Sequence, residues 1–202
     1  MTQLILVRHG RTAWNKEPRF RGQADISLDD TGLAQAQATA VRLSQFPITA
    51  VYSSPLKRAM ATAKPIADKF GLAVEPHNGL IDINFGRLQG LPPQQVREQD
   101  SDLLDAWLTE PHKVNFPDGE CLNDVRDRFT GALNELTTRH TDETIVLLSH
   151  MVALKVALCV VLGLDNSHFW QIAQDTCAIN IVNVKDGKYI VSLINDTCHL
   201  NK

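Results

Sequence analysis

The chain has 202 residues, of which 44% are hydrophobic and 21% charged, with a formal net charge of −3. That balance belongs to an ordinary folded domain able to bury its own core; it excludes a disordered, collagen-like or coiled-coil chain, and it lacks the basic footprint of a nucleic-acid binder. Cys121, Cys159, Cys177 and Cys198 show no C-x-x-C spacing, and the opening Met1-Thr2-Gln3 has no basic stretch of a secretory signal, so a reducing, cytoplasmic setting is expected.

Gln3 to Val7 is a short, continuously apolar run, as in a central strand covered on both faces. Thr31 to Gln45 carries Leu33, Ala36, Ala40 and Leu43 at helical spacing, with Asp29, Asp30 and Thr31 as candidate caps and Pro47 closing it. Ala50 to Ser53 reads as a second strand. Ser54-Pro55 then predicts a helix with Ser54 as N-cap and Pro55 as its first residue, ending at Gly71 after Phe70. Ala73 to Glu75 reads as a short strand. Asn84 to Glu120 holds Gly86, Gly90, Pro92, Pro93, Pro111, Pro117 and Gly119 around a single helical piece near Ser101–Leu108, and is expected to fold over the main body as an excursion.

Cys121 to Arg139 is amphipathic and helical, Thr144 to Ser149 a strand, and Met151 to Leu162 a mostly apolar helix. Ala178 to Val184 and Tyr189 to Ile194 read as strands joined by a turn at Asp186-Gly187. Ile145 to Leu164 has the length of a membrane span, but it contains Ser149, His150 and Lys155. A charge near a helix centre costs about 2.5–3.5 kcal/mol on insertion scales, so a buried strand and helix are expected and no membrane partner. The alternation predicts a single domain over 1–202, a three-layer α/β/α sandwich with a mostly parallel sheet.

In such sheets ligands bind beyond the carboxyl ends of the strands. The first strand ends in Arg8-His9-Gly10, the second in Ser53-Ser54 with Arg58 shortly after, and the third in Ser149-His150. Helix starts follow the last two, and free N–H groups there attract anions. This convergence points to a phosphate pocket. Each residue alone reads more blandly, as a surface pair, a hydrogen-bonded core histidine or a solvated arginine. A metal site is disfavoured, because His9 and His150 lack acidic or cysteine partners at ligand spacing and arginines repel a cation.

Leu6-Val7-Arg8-His9-Gly10-Arg11-Thr12-Ala13-Trp14-Asn15 resembles the opening signature of the histidine phosphatase superfamily, in its phosphoglycerate-mutase-like branch. Gly22-Gln23-Ala24-Asp25 is similar to the segment that follows it, and Ser53-Ser54-Pro55-Leu56-Lys57-Arg58-Ala59 to the second signature. Leu80 to Gly90, Pro117-Asp118-Gly119-Glu120 and Ser149-His150 resemble the later ones. Three positions depart from the family pattern: Asp82 stands for the usual Glu, Met151 for the usual Gly, and Arg11 where an acid is common.

The resemblance implies hydrolysis of a small-molecule phosphate monoester through a phosphohistidine, with no metal or other cofactor. His9 would be the nucleophile, kept neutral by Arg8 and Arg58, with its second ring nitrogen fixed by a backbone acceptor. Arg8, Arg58 and His150 would bind the phosphoryl oxygens and Asn15 would add a neutral donor. Asp82 would protonate the leaving oxygen. Gly22, Gln23 and Met151 would line the substrate site. Within the family the chain most resembles α-ribazole-5′-phosphate phosphatases of cobalamin assembly, and Trp14, Phe20, Phe85, Trp107 and Phe116 could stack on a planar base. A phosphoglycerate-type mutase, a sugar-phosphate phosphatase and a non-catalytic phosphate-binding module are the alternatives. Oligomeric state is not legible.

Overall fold

The computed structural model describes residues 1–15 and 17–200; position 16 of the 11–24 loop and positions 201 and 202 of the expected domain lie outside them. Six strands form one sheet: β1 (Thr2–Arg8), β2 (Ile48–Ser53), β3 (Val74–Pro76), β4 (Thr144–Ser149), β5 (Ile179–Lys185) and β6 (Lys188–Asp196), in the order β3-β2-β4-β1-β5-β6. β3, β2, β4 and β1 pair in parallel, while β5 and β6 run antiparallel at one side. The sheet is therefore mixed, with the parallel part where the histidines lie.

Side chains of successive strand residues point to opposite faces, and β1 divides the core accordingly. Leu4 and Leu6 join one cluster with Phe129 and Leu133 of α5 (Leu122–Arg139) and Val152 and Val156 of α6 (Met151–Val161). Ile5 and Val7 join the other with Ala40 and Leu43 of α1 (Asp30–Leu43) and Ala63 and Ile66 of α2 (Lys57–Lys69). Helices thus cover both faces, giving the expected three layers. No helix among the described residues is long and apolar enough to cross a membrane.

Register sets the height of the strand ends. Arg8 of β1 pairs with Ser149 of β4, and Ser53 of β2 pairs with Leu148. The next residues continue the ladder: His9 N–H donates to the Ser149 carbonyl at 3.0 Å, and Ser54 N–H to the Leu148 carbonyl at 2.9 Å. His9, Ser54 and His150 consequently leave the sheet side by side.

Two expected elements differ. α2 begins at Lys57, not at Pro55, and its N-cap is Leu56, without a side-chain bond. The Ser54 hydroxyl faces His150 Nε2 at 2.7 Å and takes only the Leu56 N–H, at 3.4 Å, ahead of the helix; the Lys57 N–H is met by Asp25 Oδ1 at 2.8 Å. The 84–120 excursion holds two helices rather than one, α3 (Pro93–Gln99) and α4 (Ser101–Thr109). Pro93 is the first helical residue, where its missing N–H costs nothing. Asp100 separates the pair, its Oδ1 accepting from Leu103 N–H at 2.9 Å. A 3₁₀ turn at Asn166–Gln171 had no clear periodic signal.

The loop after β1 presses on the start of α1 through two glycines. A Cβ on Gly32 would lie 2.0 Å from the Arg11 carbonyl oxygen, and one on Gly10 would lie 2.7 Å from the Gly32 oxygen. Gly32→Ala should therefore destabilise by about 1–3 kcal/mol or more, as overpacking does. Gly131→Ala, inside α5 with nothing within 4 Å of the added carbon, should stabilise by about 0.5–1 kcal/mol. Urea midpoints of the two variants, moving in opposite directions, check this.

Candidate active site

His9 is 1% exposed, and its Nδ1 lies 2.7 Å from the Gly10 carbonyl. A carbonyl only accepts, so Nδ1 carries the proton and Nε2 keeps a lone pair. Burial pushes the His9 pKa well below the ordinary histidine value, and the charges of Arg58, Arg8 and Arg21 push it further the same way. The His150 ring centroid is 5.1 Å away. Its Nδ1 accepts from Arg58 Nε at 3.2 Å, so its Nε2 bears the proton, facing Ser54 Oγ at 2.7 Å. His150 too is held neutral, first by burial and then by Arg58.

Arg58, in the first turn of α2, has no exposed surface. Its Nη atoms donate to the carbonyls of Ala24 and Gly22, both at 2.6 Å. These bonds tie the 22–25 loop over the site. Arg8 donates to the Gln174 carbonyl and leaves its buried Nε without a partner. Burial lowers the pKa of each guanidinium to about 10.

Asp82 completes the group. Its Oδ2 is 3.5 Å from an Arg58 Nη, and its buried Oδ1 has no partner. Burial raises its pKa above the ordinary carboxylate value, against the opposing pull of Arg58. A frame under the loop fixes its place. Arg128 donates to the Ile81 carbonyl at 2.6 Å and the Asp82 carbonyl at 3.0 Å, and Glu120 bridges Arg128 to the Asn84 N–H. Pro117-Asp118-Gly119-Glu120 thus serves the loop, not the cavity: a Cβ on Gly86 would meet the Pro117 oxygen at 2.0 Å.

The sequence profile of the histidine phosphatase superfamily, branch 1, matches residues 4–197. The chain belongs to that superfamily. It is 36% identical to phosphoserine phosphatase 1 of Hydrogenobacter thermophilus, spanning all of this chain and 96% of the relative. It is 32% identical to the metal-independent phosphoserine phosphatase of Arabidopsis thaliana, spanning all of this chain and 84% of that one. The solved structure of YhfR from Bacillus stearothermophilus superposes with a TM-score of 0.95 at 28% identity, each chain covered in full. The chain is accordingly a phosphatase of the histidine phosphatase type, a phosphoric monoester hydrolase.

A cavity of about 330 Å³ adjoins this group of side chains. Arg8, Asp82 and Gly22 line it, together with Trp14, Asn15, Phe20, Phe85, Trp107 and Met151 among others. His9, Arg58 and His150 are not among its lining residues. Of the other expected site residues, Asn15 accepts from Thr12 N–H at 2.9 Å through Oδ1, closing its own turn. Gln23 is outside the lining; its Nε2 donates to the Asp82 carbonyl at 3.0 Å, so it supports the loop. Phe116 is also outside, packed edge-on against Phe85 and Phe20. Among the described residues no three His, Cys, Asp or Glu side chains gather as a metal site.

Sequence reasoning missed Arg21, Trp170 and Lys155. Arg21 and Trp170 line the cavity. Lys155 is 6% exposed and sits 4.4 Å from the Trp170 ring centre and 4.9 Å from that of Phe169. Burial lowers its pKa to about 8, with a smaller contribution from Arg8. Its signal was a lone charge in an apolar helix; Arg21 stood beside the quoted Gly22-Gln23 segment.

Two buried neutral histidines give the stability a pH slope. The unfolded chain takes up protons below about pH 6.5 that native His9 and His150 refuse, so stability falls as pH drops through that value. The raised Asp82 pKa has the opposite sign: it favours the folded state at low pH, and that contribution is lost as pH rises through the folded pKa. Two groups outweigh one. Urea midpoints should be lower at pH 5.5 than at pH 7.5; an unchanged or higher midpoint at pH 5.5 contradicts the buried-neutral assignment.

Proposed function

We propose that this phosphatase hydrolyses a phosphate monoester of a small metabolite by two in-line transfers through His9, with phosphoserine-like compounds as the leading substrates. The observation that carries the reading is the Nδ1 bond of His9 to Gly10, which leaves Nε2 free to attack phosphorus. In the first step the Nε2–P bond forms and the P–O ester bond breaks. Protonated Asp82 gives its proton to the leaving oxygen. In the second, Asp82 takes a proton from water as that water attacks phosphorus and the P–N bond breaks. Arg8 and Arg58 neutralise the phosphoryl oxygens, where guanidinium forks suit the geometry. His150 joins them by turning its Nε2–H from Ser54 to the phosphoryl group.

The substrate preference draws on the names of the full-length relatives at 36% and 32% identity. The second reading, α-ribazole-5′-phosphate, draws on the aromatic walls Trp14, Phe20, Phe85, Trp107 and Trp170, broad enough for a planar base. Comparing kcat/KM for phosphoserine, 3-phosphoglycerate, α-ribazole-5′-phosphate and p-nitrophenyl phosphate ranks them. A preference below tenfold, under about 1.4 kcal/mol, leaves neither specific substrate supported.

The chemistry is tested by acid-quenching the enzyme during turnover of labelled substrate. A phosphate labile in acid and stable in base is expected, absent in His9→Ala. Asp82→Asn should slow alkyl monoesters by about 10²–10⁴-fold and p-nitrophenyl phosphate far less, because a good leaving group needs little protonation. Equal losses on both would make Asp82 structural. Activity should persist in EDTA; loss in chelator, restored by zinc or magnesium, would overturn the mechanism.

A further inference from the structure

Four guanidinium groups lie at or beside this cavity, and they are held differently: Arg19, in its lining, donates to the Gly90 carbonyl at 3.0 Å and pairs with Glu17 at 3.2 Å. Arg58 donates to Ala24, Gly22 and His150, and Arg8 to Gln174. Arg21 makes no hydrogen bond or ion pair with any described residue, and its Nε is enclosed without a partner. Its backbone is nonetheless fixed. The Arg21 carbonyl accepts from Ala24 N–H at 3.0 Å. Gly22, next in sequence, has φ +48 and no room for a Cβ, with the Ile83 oxygen 2.7 Å from where one would stand. A rigid main chain therefore carries an uncommitted guanidinium in the cavity wall.

The charges around it are unequal. Arg21 acts on His9, Arg8, Arg58 and Asp82. Asp82 is the one acidic residue lining the cavity, and it must be protonated to act on the leaving oxygen. Arg8 and Arg58 each feel a second carboxylate, Asp175 and Asp25 respectively, whereas the one acidic group acting on Arg21 among the described residues is Asp82, so protonation of Asp82 leaves the Arg21 charge without a counter-charge. Lys155 adds to the excess: it too has no acidic partner, and it lies within the field of Arg8. Position differs too: Arg58 and His150 are outside the cavity lining, whereas Arg21 is in it with Arg8 and Asp82.

We propose that Arg21 binds a second acidic group of the substrate, a carboxylate a few bonds from the ester oxygen, and so selects acidic phosphate monoesters over neutral-tailed ones. The planar guanidinium fork matches a carboxylate in two parallel bonds. This rests on the phosphohistidine reading of the same cavity and assigns its selectivity to one side chain. Loss of Arg21 strips no bond from the fold, so its variants should remain folded.

The test uses 3-phosphoglycerate and glycerol 3-phosphate, which differ by a carboxylate in place of a hydroxymethyl group. The ratio of their kcat/KM values is measured in the wild type, Arg21→Gln and Arg21→Lys. The wild type should favour 3-phosphoglycerate at least tenfold. Arg21→Gln should cut that ratio at least tenfold, chiefly through KM for the acid, and Arg21→Lys should restore part of it. A ratio unchanged in Arg21→Gln, whether both rates fall together or neither does, overturns the proposal, as does a wild type without preference. Phosphohistidine trapped on the wild type with p-nitrophenyl phosphate keeps these outcomes distinct from failure of the underlying reading, in which no phosphohistidine forms.

Discussion

The 2.7 Å bond between His9 Nδ1 and the Gly10 carbonyl fixes the tautomer of the ring on which the proposed mechanism turns. Two further constraints make the ring useful. Burial disfavours its protonated form, and three arginines make a cation there still less favourable. The same positive charges favour an anion beside the ring, so one set of charges both keeps the imidazole unprotonated and suits the pocket to an anionic ligand. Asp82 is moved the opposite way: burial raises its pKa even beside Arg58. An acid and a base with pKa values moved toward each other's ordinary range are what an acid–base reaction at one centre requires.

The rest of the fold holds these groups at fixed spacing. The β1–β4–β2 register brings His9, His150 and Ser54 out of the sheet at one level. Arg58 then stitches the 22–25 loop to that edge through two carbonyls. The Glu120–Arg128 pair does the same for the Asp82 loop from α5 on the far side. Both devices use charged groups on backbone oxygens, bonds stronger than neutral ones. The excursion between 84 and 120 adds Trp107 and Leu104 to the cavity lining, beyond the groups that the strand ends supply.

Much of this was legible in the sequence. Apolar runs of three or four residues followed by Arg-His, Ser-Ser and Ser-His marked β1, β2 and β4 and the polar groups gathered at their ends. Local pattern failed where partners come from far along the chain. Ser54-Pro55 looks like a helix start, but His150 takes the Ser54 hydroxyl and Asp25 meets the first helical N–H instead. Pro92-Pro93 looks like a breaker, and Pro93 opens α3. Gln23 is polar and adjacent to a signature, yet it faces the Asp82 backbone. Arg21 opened a segment similar to the family's, but with no role of its own, and Lys155 carried no motif; their meaning is the absence of partners among the described residues, which no spacing rule reports.

The central claim is that His9 is neutral, with its proton on Nδ1, inside a cationic pocket. Nitrogen NMR of histidine-labelled protein, with His9 assigned by comparison with His9→Ala, reads tautomer and charge together across pH. The expected result is a single Nδ1–H neutral ring for His9 that does not titrate between pH 8 and pH 5.5. A His9 that protonates at or above the ordinary histidine value near 6.5, or one with its proton on Nε2, would contradict the account.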